Sequence, residues 1–200
     1  MALISGDKRP IILVPDNTPM AALGCIDKLD WLLVPDIPVA ITDQVADEAT
    51  RNTDLAWAAE THAWIVRNVV HGRVSIAYTD TGFDYRQQFD AWVRDGMDPE
   101  RRPRSKHLGE ASILELMARL EEEARGDEKA IVLVDERRAR KALGTLDPNL
   151  DIVSTRAFFE VMATDYRIND ALDHWPEVLA RIGTMDTLNE IHRVRIPGKA

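Results

Sequence analysis

Two acidic side chains lie just beyond the most apolar runs of the 200-residue chain. Residues 11–14 lead to Asp16, and residues 130–134 lead to Asp135. Short, bounded apolar runs of this kind are typical of buried strands. Because open α/β folds bind their ligands outside the carboxyl ends of the strands, Asp16 and Asp135 are predicted to line one crevice.

Two glutamates are expected to join these aspartates. Glu48 follows a predicted strand and a capping residue, on the first turns of its helix, and Glu110 comes after Gly109 at the start of another helix. Acidic side chains are favoured near helix N-termini. Right-handed βαβ connections bring such helix starts to the carboxyl edge of the sheet, so the four carboxylates are predicted to converge.

A cluster of four carboxylates predicts metal-ion chemistry. Two unit charges about 4 Å apart repel by roughly 4 kcal/mol at an effective dielectric near 20, so the cluster must hold a proton or bind a divalent cation. Oxygen-only ligands favour Mg²⁺ or Mn²⁺. The reaction that suits such a site is phosphodiester hydrolysis by an activated water. The five histidines show no paired ligand spacing, and none is assigned to catalysis.

The elements that must position these acids follow an α/β pattern. Short apolar runs alternate with longer segments of helical spacing, which predicts βαβ units and a central, mostly parallel sheet flanked by helices. Further strands are predicted at residues 39–41, 74–78 and 150–153. We expect one domain over residues 1–200, with an insertion or lid at 79–107. Asp54 is expected to cap a helix. A helical C-terminal extension is expected over 165–200, with its main helix at 168–182.

Charge and composition limit the class of protein. The net charge of −9 argues against a general electrostatic binder of nucleic acid. The N-terminus carries no apolar stretch of signal-peptide length, and no segment approaches the roughly 20 apolar residues of a membrane span. The lone cysteine, Cys25, is expected in the core and cannot form an intramolecular disulfide. We therefore expect a soluble protein of the reducing cytoplasm with no membrane partner.

The chain resembles the PIN-domain family along most of its length outside residues 79–107. Residues 11–33, IILVPDNTPMAALGCIDKLDWLL, resemble the family's opening strand, aspartate and helix. Four further stretches follow in the family's order: PVAITDQVADEAT with Glu48, LGEASILELM with Glu110, IVLVDERRARKAL with Asp135, and DIVSTRAFFEVM at residues 151–162.

The resemblance implies a PIN-like three-layer fold and a metal-dependent ribonuclease. Such proteins are often homodimers, and in bacteria they are often the VapC-type toxin of a toxin–antitoxin pair, which implies an antitoxin protein as a partner. Asp16, Glu48, Glu110 and Asp135 then hold Mg²⁺ or Mn²⁺, and Ser154 or Thr155 assists from the edge of the site. The added segment at 79–107 and Glu136, where many relatives have aspartate, depart from the family pattern.

Two basic stretches of the sequence are expected to bind the substrate if it is RNA. Arg137 and Arg138 follow Asp135 at a predicted helix start, where cations oppose the helix dipole. A substrate phosphate would relieve that repulsion. We therefore predict that Arg137 and Arg138, with the stretch at 101–106, steer an RNA backbone toward the metal.

Two other functions remain open at this point. The chain could be a non-catalytic PIN-like scaffold whose acids serve folding and whose insertion binds a protein. It could also be a different Mg²⁺-dependent phosphatase that uses the same carboxylate edge. The five tryptophans are assigned to core or interface packing rather than to base stacking, because aromatic side chains dominate both.

Overall fold

Five parallel strands form the centre of the fold. The computed structural model describes residues 9–52, 54–123, 128–146, 150–182 and 193–194. The parallel strands are β1 (Arg9–Pro15), β2 (Val39–Thr42), β3 (Val74–Ala77), β4 (Glu128–Leu133) and β5 (Leu150–Val153). They lie in the order β3-β2-β1-β4-β5, and a two-residue strand, β6 (Arg193–Val194), runs antiparallel beside β5.

Helices connect and cover these strands. Those in the described residues are α1 (Asn17–Gly24), α2 (Asp43–Thr50), α3 (Ala56–Val70), α4 (Asp80–Arg94), α5 (Leu108–Glu123), α6 (Arg137–Leu146), α7 (Thr155–Thr164) and α8 (Trp175–Ile182). Short 3₁₀ helices lie at Leu29–Leu33, Pro99–Arg101 and Ala171–His174. None of the helices in the described ranges is both long and apolar enough to cross a membrane.

The central strands are buried on both faces. All of β2 is buried, and so are the residues from Lys129 to the end of β4. Successive strand residues point to opposite faces, so this continuous burial requires helices on both sides of the sheet. The α/β fold class expected from the sequence is therefore confirmed, in an arrangement consistent with a PIN-like three-layer fold.

Three helices begin directly at the carboxyl edge of the sheet with a hydroxyl cap. Thr42 caps α2, Thr79 caps α4 and Ser154 caps α7. Each side-chain hydroxyl accepts a hydrogen bond from the backbone N–H of the residue three positions later in the chain. A hydroxyl in this position satisfies one of the unpaired N–H groups of the first turn. The carboxyl edge thus gathers a row of buried polar side chains.

Two local predictions were wrong. Leu55, not Asp54, is the N-cap residue of α3, and no side chain caps that helix. The single helix expected over residues 168–182 is instead a 3₁₀ helix followed by α8. Pro176 explains the break, because a residue without a backbone N–H fits only the first turn of a helix.

The expected insertion and C-terminal extension have regular structure where they are described. Residues 79–107 contain α4, which packs against α5 and α2, and a 3₁₀ turn. The extension holds α8 and then the short strand β6. Its remaining residues, 183–192 and 195–200, lie outside the described residues, and so do residues 1–8, to which the expectation about a signal peptide refers.

Candidate active site

Asp16 and Asp135 come from adjacent central strands. β1 and β4 pair in parallel, with Pro15 opposite Leu133, and the N–H of Asp16 donates to the carbonyl of Leu133 over 2.9 Å. Both aspartates are buried, with 8% and 1% of their surface exposed. The strand pairing therefore places two carboxylates side by side at the carboxyl edge, as their positions in the sequence predict.

Asp16 occupies the N-cap position of α1 but does not use its side chain as a cap. Its backbone is extended, and its carbonyl accepts a 3.3 Å hydrogen bond from Met20, while no side-chain cap bond is made. An N-cap aspartate ordinarily accepts from a first-turn N–H. The carboxylate of Asp16 thus stays available for the crevice. Next to it, the buried Oδ1 of Asn17 has no hydrogen-bond partner within the described residues.

Asp135 is held by the start of α7. The backbone N–H of Thr155 donates to Asp135 Oδ1 over 2.9 Å, and the Thr155 hydroxyl donates to Oδ2 over 2.5 Å. Both carboxylate oxygens are therefore oriented by the first residue of α7, the helix that follows β5. Of the two hydroxyls expected at this edge, Thr155 contacts an acid, whereas Ser154 accepts from Ala157 as the cap of α7.

Glu48 lies in the second turn of α2, farther along its helix than expected, and reaches the start of α5. The N–H of Gly109 donates to Glu48 Oε1 over 3.3 Å. A β-carbon built at Gly109 would lie 2.8 Å from Glu48 Oε2, which is too close for any real side chain. Glycine at this position lets α5 approach the carboxylate, and it explains physically why a glycine precedes Glu110.

Glu110 lies at the start of α5 and contacts two groups that the sequence did not assign to the site. His107 Nδ1 is 3.1 Å from Glu110 Oε1, and Glu110 shares a hydrogen bond with Glu136. One ligand atom from each of the three residues lies within 4.8 Å of the others. Their signal in the sequence was proximity: Glu136 directly follows Asp135, and His107 stands three residues before Glu110.

The structure brings the four predicted acids into electrostatic contact. Burial, and after it the negative charges of Glu48, Glu110 and Asp135, raise the pKa of Asp16 to about 7, although a backbone hydrogen bond from Asn17 opposes the shift. The three acids belong to different elements, and each acts on the same buried carboxyl. Neutralising the cluster therefore requires a proton or a cation.

Burial also raises the pKa of Glu48 and the pKa of Asp135. The hydrogen bonds from Thr155 and the charge of Arg140 oppose the shift at Asp135. The hydrogen bond with Glu110 is the largest cause that raises the pKa of Glu136, while the charges of His107 and Arg138 lower it.

Within the described residues, the four predicted acids do not all lie at the spacing of ligands around a single ion. His107, Glu110 and Glu136 form the only group of three in these ranges whose ligand atoms lie within 4.8 Å of one another. Glu110 thus belongs both to this group and to the electrostatic cluster around Asp16. A carboxylate crevice of this composition offers oxygen ligands, with one imidazole at its rim, which suits a hard divalent cation.

The predicted basic residues surround the crevice. Arg137 and Arg138 form the exposed first turn of α6, and the charge of Arg138 acts on Glu136. Arg140 is buried, and its charge acts on Asp135. The arginines and Lys106 of the stretch at 101–106 are exposed. Cations thus lie on the outside of the acidic crevice, where a polyanion would approach.

Comparisons with protein-family models, with curated proteins and with solved structures found no match to this chain.

Proposed function

We propose that this protein is a PIN-type, metal-dependent endoribonuclease that hydrolyses RNA phosphodiester bonds at the crevice over β1 and β4. One observation carries the proposal: Asp16 and Asp135 are both buried at the carboxyl ends of the paired strands β1 and β4, where the charges of Glu48 and Glu110 also raise the pKa of Asp16. Acids that repel one another inside a fold destabilise it, so their presence favours a role in binding a cation.

Each acid has a definite part in this proposal. Asp16, Glu48, Glu110 and Asp135 would hold Mg²⁺ or Mn²⁺, some of them through waters that the ion keeps, and the ion would activate a water and neutralise the charge that develops on phosphate. Thr155 fixes the direction of the Asp135 carboxylate. The unpartnered amide oxygen of Asn17 offers the site a further neutral oxygen.

The substrate is a polyanion that approaches over the first turn of α6. Arg137 and Arg138 are exposed there. Cations at a helix N-terminus oppose the helix dipole, so their position favours a role in binding. RNA phosphates would contact both arginines.

The biological role that fits this activity is the toxin of a toxin–antitoxin pair in the cytoplasm. The antitoxin would place a basic side chain in the acidic crevice and so occupy the cation site. The proposal includes a homodimer, and α3 offers exposed apolar surface to a second copy at Val66, Val69 and Val70. Light scattering of the purified chain tests that state directly.

Cleavage of a labelled single-stranded RNA in Mn²⁺ or Mg²⁺ tests the activity. We expect cleavage that stops when EDTA is added and that is lost in Asp16→Asn. Glu60→Gln is the matched control, because Glu60 is exposed on α3 and its replacement makes the same change in net charge. Cleavage by Asp16→Asn at the wild-type rate would contradict the proposal.

Two further measurements distinguish the other functions. Calorimetric titration of the metal-free protein with Mn²⁺ reports binding without any substrate. A scaffold would show neither Mn²⁺ binding at Asp16 nor RNA cleavage. A phosphatase would release phosphate from a small ester such as p-nitrophenyl phosphate and leave RNA intact.

A further inference from the structure

A cavity of about 340 Å³ opens between α4 and α2, the helix that carries Glu48. Asp43, Gln44 and Asp47 line it from α2, and Tyr85 and Phe89 line it from α4. Its volume is in the range of pockets that hold small ligands. None of its lining residues belongs to the four-acid cluster.

Gln44 gives this cavity a polar group that lacks a partner. The side chain is 2% exposed, and its Oε1 has no hydrogen-bond partner within the described residues. Buried amide groups in folded proteins are nearly always hydrogen-bonded, because leaving one unpaired destabilises the fold. The amide of Gln44 is therefore placed to bond a ligand that enters the cavity.

Three aspartates line the cavity, Asp43, Asp47 and Asp90, and three arginines, Arg51, Arg86 and Arg102, balance their charge. Asp43 accepts from the Thr79 hydroxyl over 2.8 Å and from Arg86 Nη1 over 2.6 Å. Asp47 forms an ion pair with Arg51 on the next turn of α2. These pairs leave no excess negative charge to repel a polyanion, and they hold the polar wall of the cavity in place.

The opposite wall is aromatic and continues along α4. The ring centroids of Tyr85 and Phe89 are 6.1 Å apart, and those of Phe89 and Trp92 are 5.3 Å apart. The guanidinium of Arg102 lies 5.7 Å from the centre of the Trp92 ring. Half-buried aromatic side chains combined with arginines form the stacking surfaces that single-stranded nucleic acids use.

The cavity and the acidic crevice share one helix. Gln44 and Glu48 are four residues apart on α2, so they lie on the same helix face about one turn from each other. A chain that places a phosphate at the acids can therefore place a neighbouring base in the cavity.

We propose that this cavity binds an unstacked base of single-stranded RNA, next to the phosphate that lies at the acids. The base stacks on Tyr85 and Phe89, and its polar edge bonds the amide of Gln44. This inference rests on the proposed ribonuclease function, because it assumes that the crevice accepts RNA.

Binding measured in EDTA tests the base site separately from cleavage. A short RNA that carries 2-aminopurine would be titrated with the metal-free protein, and both anisotropy and base fluorescence would be recorded. Gln44→Leu keeps the size of the side chain and removes the amide. Phe89→Leu removes the aromatic ring. Gln88→Leu is the matched control, because Gln88 is exposed on α4 outside the cavity.

We expect Phe89→Leu to weaken RNA binding by roughly 5- to 150-fold, which corresponds to the 1–3 kcal/mol of one base stacked on an aromatic side chain. Gln44→Leu should weaken binding by roughly 5-fold or more while its melting temperature stays equal to the wild type or rises, since it removes a buried unpaired oxygen. An abasic nucleotide at the sensitive position should weaken wild-type binding and have no further effect on Phe89→Leu.

Wild-type affinity in both cavity variants, or equal losses in Gln88→Leu, would overturn the base site. Binding of a peptide in the cavity, without binding of RNA there, would also overturn the base site. If RNA binds through the cavity but is never cleaved in Mn²⁺, the ribonuclease proposal fails and the base site stands.

Discussion

The backbone N–H of Gly109 donates to the carboxylate of Glu48 across 3.3 Å, and this contact joins α5 to α2 at the acidic crevice. The two residues are 61 positions apart in the chain. A side chain at residue 109 would meet Glu48 Oε2 at 2.8 Å. Glycine at position 109 thus makes room for a side chain of α2, although the residue itself belongs to α5.

Gly109→Ala should reduce activity without unfolding the protein. The new methyl group meets the free end of a flexible side chain, so the Glu48 carboxylate moves aside and stability changes by less than about 1 kcal/mol. We expect Mn²⁺ affinity to fall at least about tenfold, as for other changes in the support of metal ligands. Calorimetric titration with Mn²⁺ and urea denaturation measure the two effects.

Gly144→Ala is the control for that variant. A β-carbon at Gly144 meets its nearest neighbour, Ile152, at 3.9 Å, which is an ordinary contact. Alanine there should stabilise α6 by about 0.5–1 kcal/mol and leave Mn²⁺ affinity unchanged. Equal Mn²⁺ affinities in the two glycine variants would show that Glu48 takes no part in binding.

Thr155 and Ser154 should separate site geometry from helix capping. Thr155→Val removes the hydroxyl bond to Asp135 but keeps the backbone bond, so RNA cleavage should fall about 10-fold or more. Ser154→Ala removes the cap of α7 and should cost about 1 kcal/mol of stability while folded molecules keep their cleavage rate. Thermal melts and single-turnover cleavage give both readouts. An unchanged cleavage rate in Thr155→Val would show that cleavage does not need the hydrogen bond from the Thr155 hydroxyl to Asp135.

The raised pKa of Asp16 predicts how metal-free stability depends on pH. Its pKa rises from 3.8 to about 7 on folding, so between those values the folded chain keeps a proton that the unfolded chain releases. The free energy of unfolding therefore falls as pH rises through this window, by on the order of 4 kcal/mol from this group. The raised pKa values of Glu48, Asp135 and Glu136 act in the same direction.

Asp16→Asn should remove the largest part of that loss. In EDTA, its stability relative to the wild type should increase from pH 4 to pH 7 and stay constant above, whereas Glu60→Gln should follow the wild type. Urea denaturation at several pH values measures the difference. A large loss of stability in Asp16→Asn at pH 8 would identify Asp16 as a structural acid.

Replacement of Arg137 and Arg138 by alanine should weaken RNA binding and reduce its salt dependence. Two lost phosphate contacts on a single strand lower the slope of log K against log salt by about 1.4. Arg73→Ala, at an exposed arginine just before β3, serves as the control. Equal slopes of log K against log salt in the double variant and the wild type would show that these arginines do not contact RNA.

Gly82→Ala should destabilise the whole fold. A β-carbon there would lie 2.0 Å from Asp43 Oδ2, and Asp43 cannot move because Thr79 and Arg86 hold both its oxygens. We expect a loss of about 1–3 kcal/mol, which is typical of overpacking. Thermal melts compared with Gly144→Ala measure it. A melting temperature equal to the wild type would show that the Asp43 network is not rigid.

Apolar pattern was sufficient to locate the central strands, because burial on both faces produces continuous apolar runs. The ends of those strands then located Asp16 and Asp135. The prediction that Asp54 caps α3 was wrong, because the path of the chain between α2 and α3 decides where the helix begins. The preference of aspartate for capping positions is weaker than that constraint. The 15-residue helix α4 forms within residues 79–107, for which the sequence indicated only an insertion or lid.

Two contacts could not be predicted in the same way, because one depends on an unusual backbone turn and the other on how two helices pack. His107 has a left-handed backbone, with φ of 67°, and this turn brings its ring to Glu110. A positive φ is uncommon outside glycine, even though histidine is enriched there, so the residue type alone does not locate this turn. The pairing of Asp43 with Arg86 depends on how α2 and α4 pack, which no periodicity in either helix specifies.

The pairing of β1 with β4 sets the scale of the acidic crevice. Neighbouring strands are about 4.8 Å apart in any sheet, so the pairing fixes the separation of the two strand ends that the first two aspartates follow. The two glutamates come from helices, whose positions can shift. Shifts of α2 and α5 during evolution could therefore change which substrates the crevice accepts, while the distance between the ends of β1 and β4 stays constant.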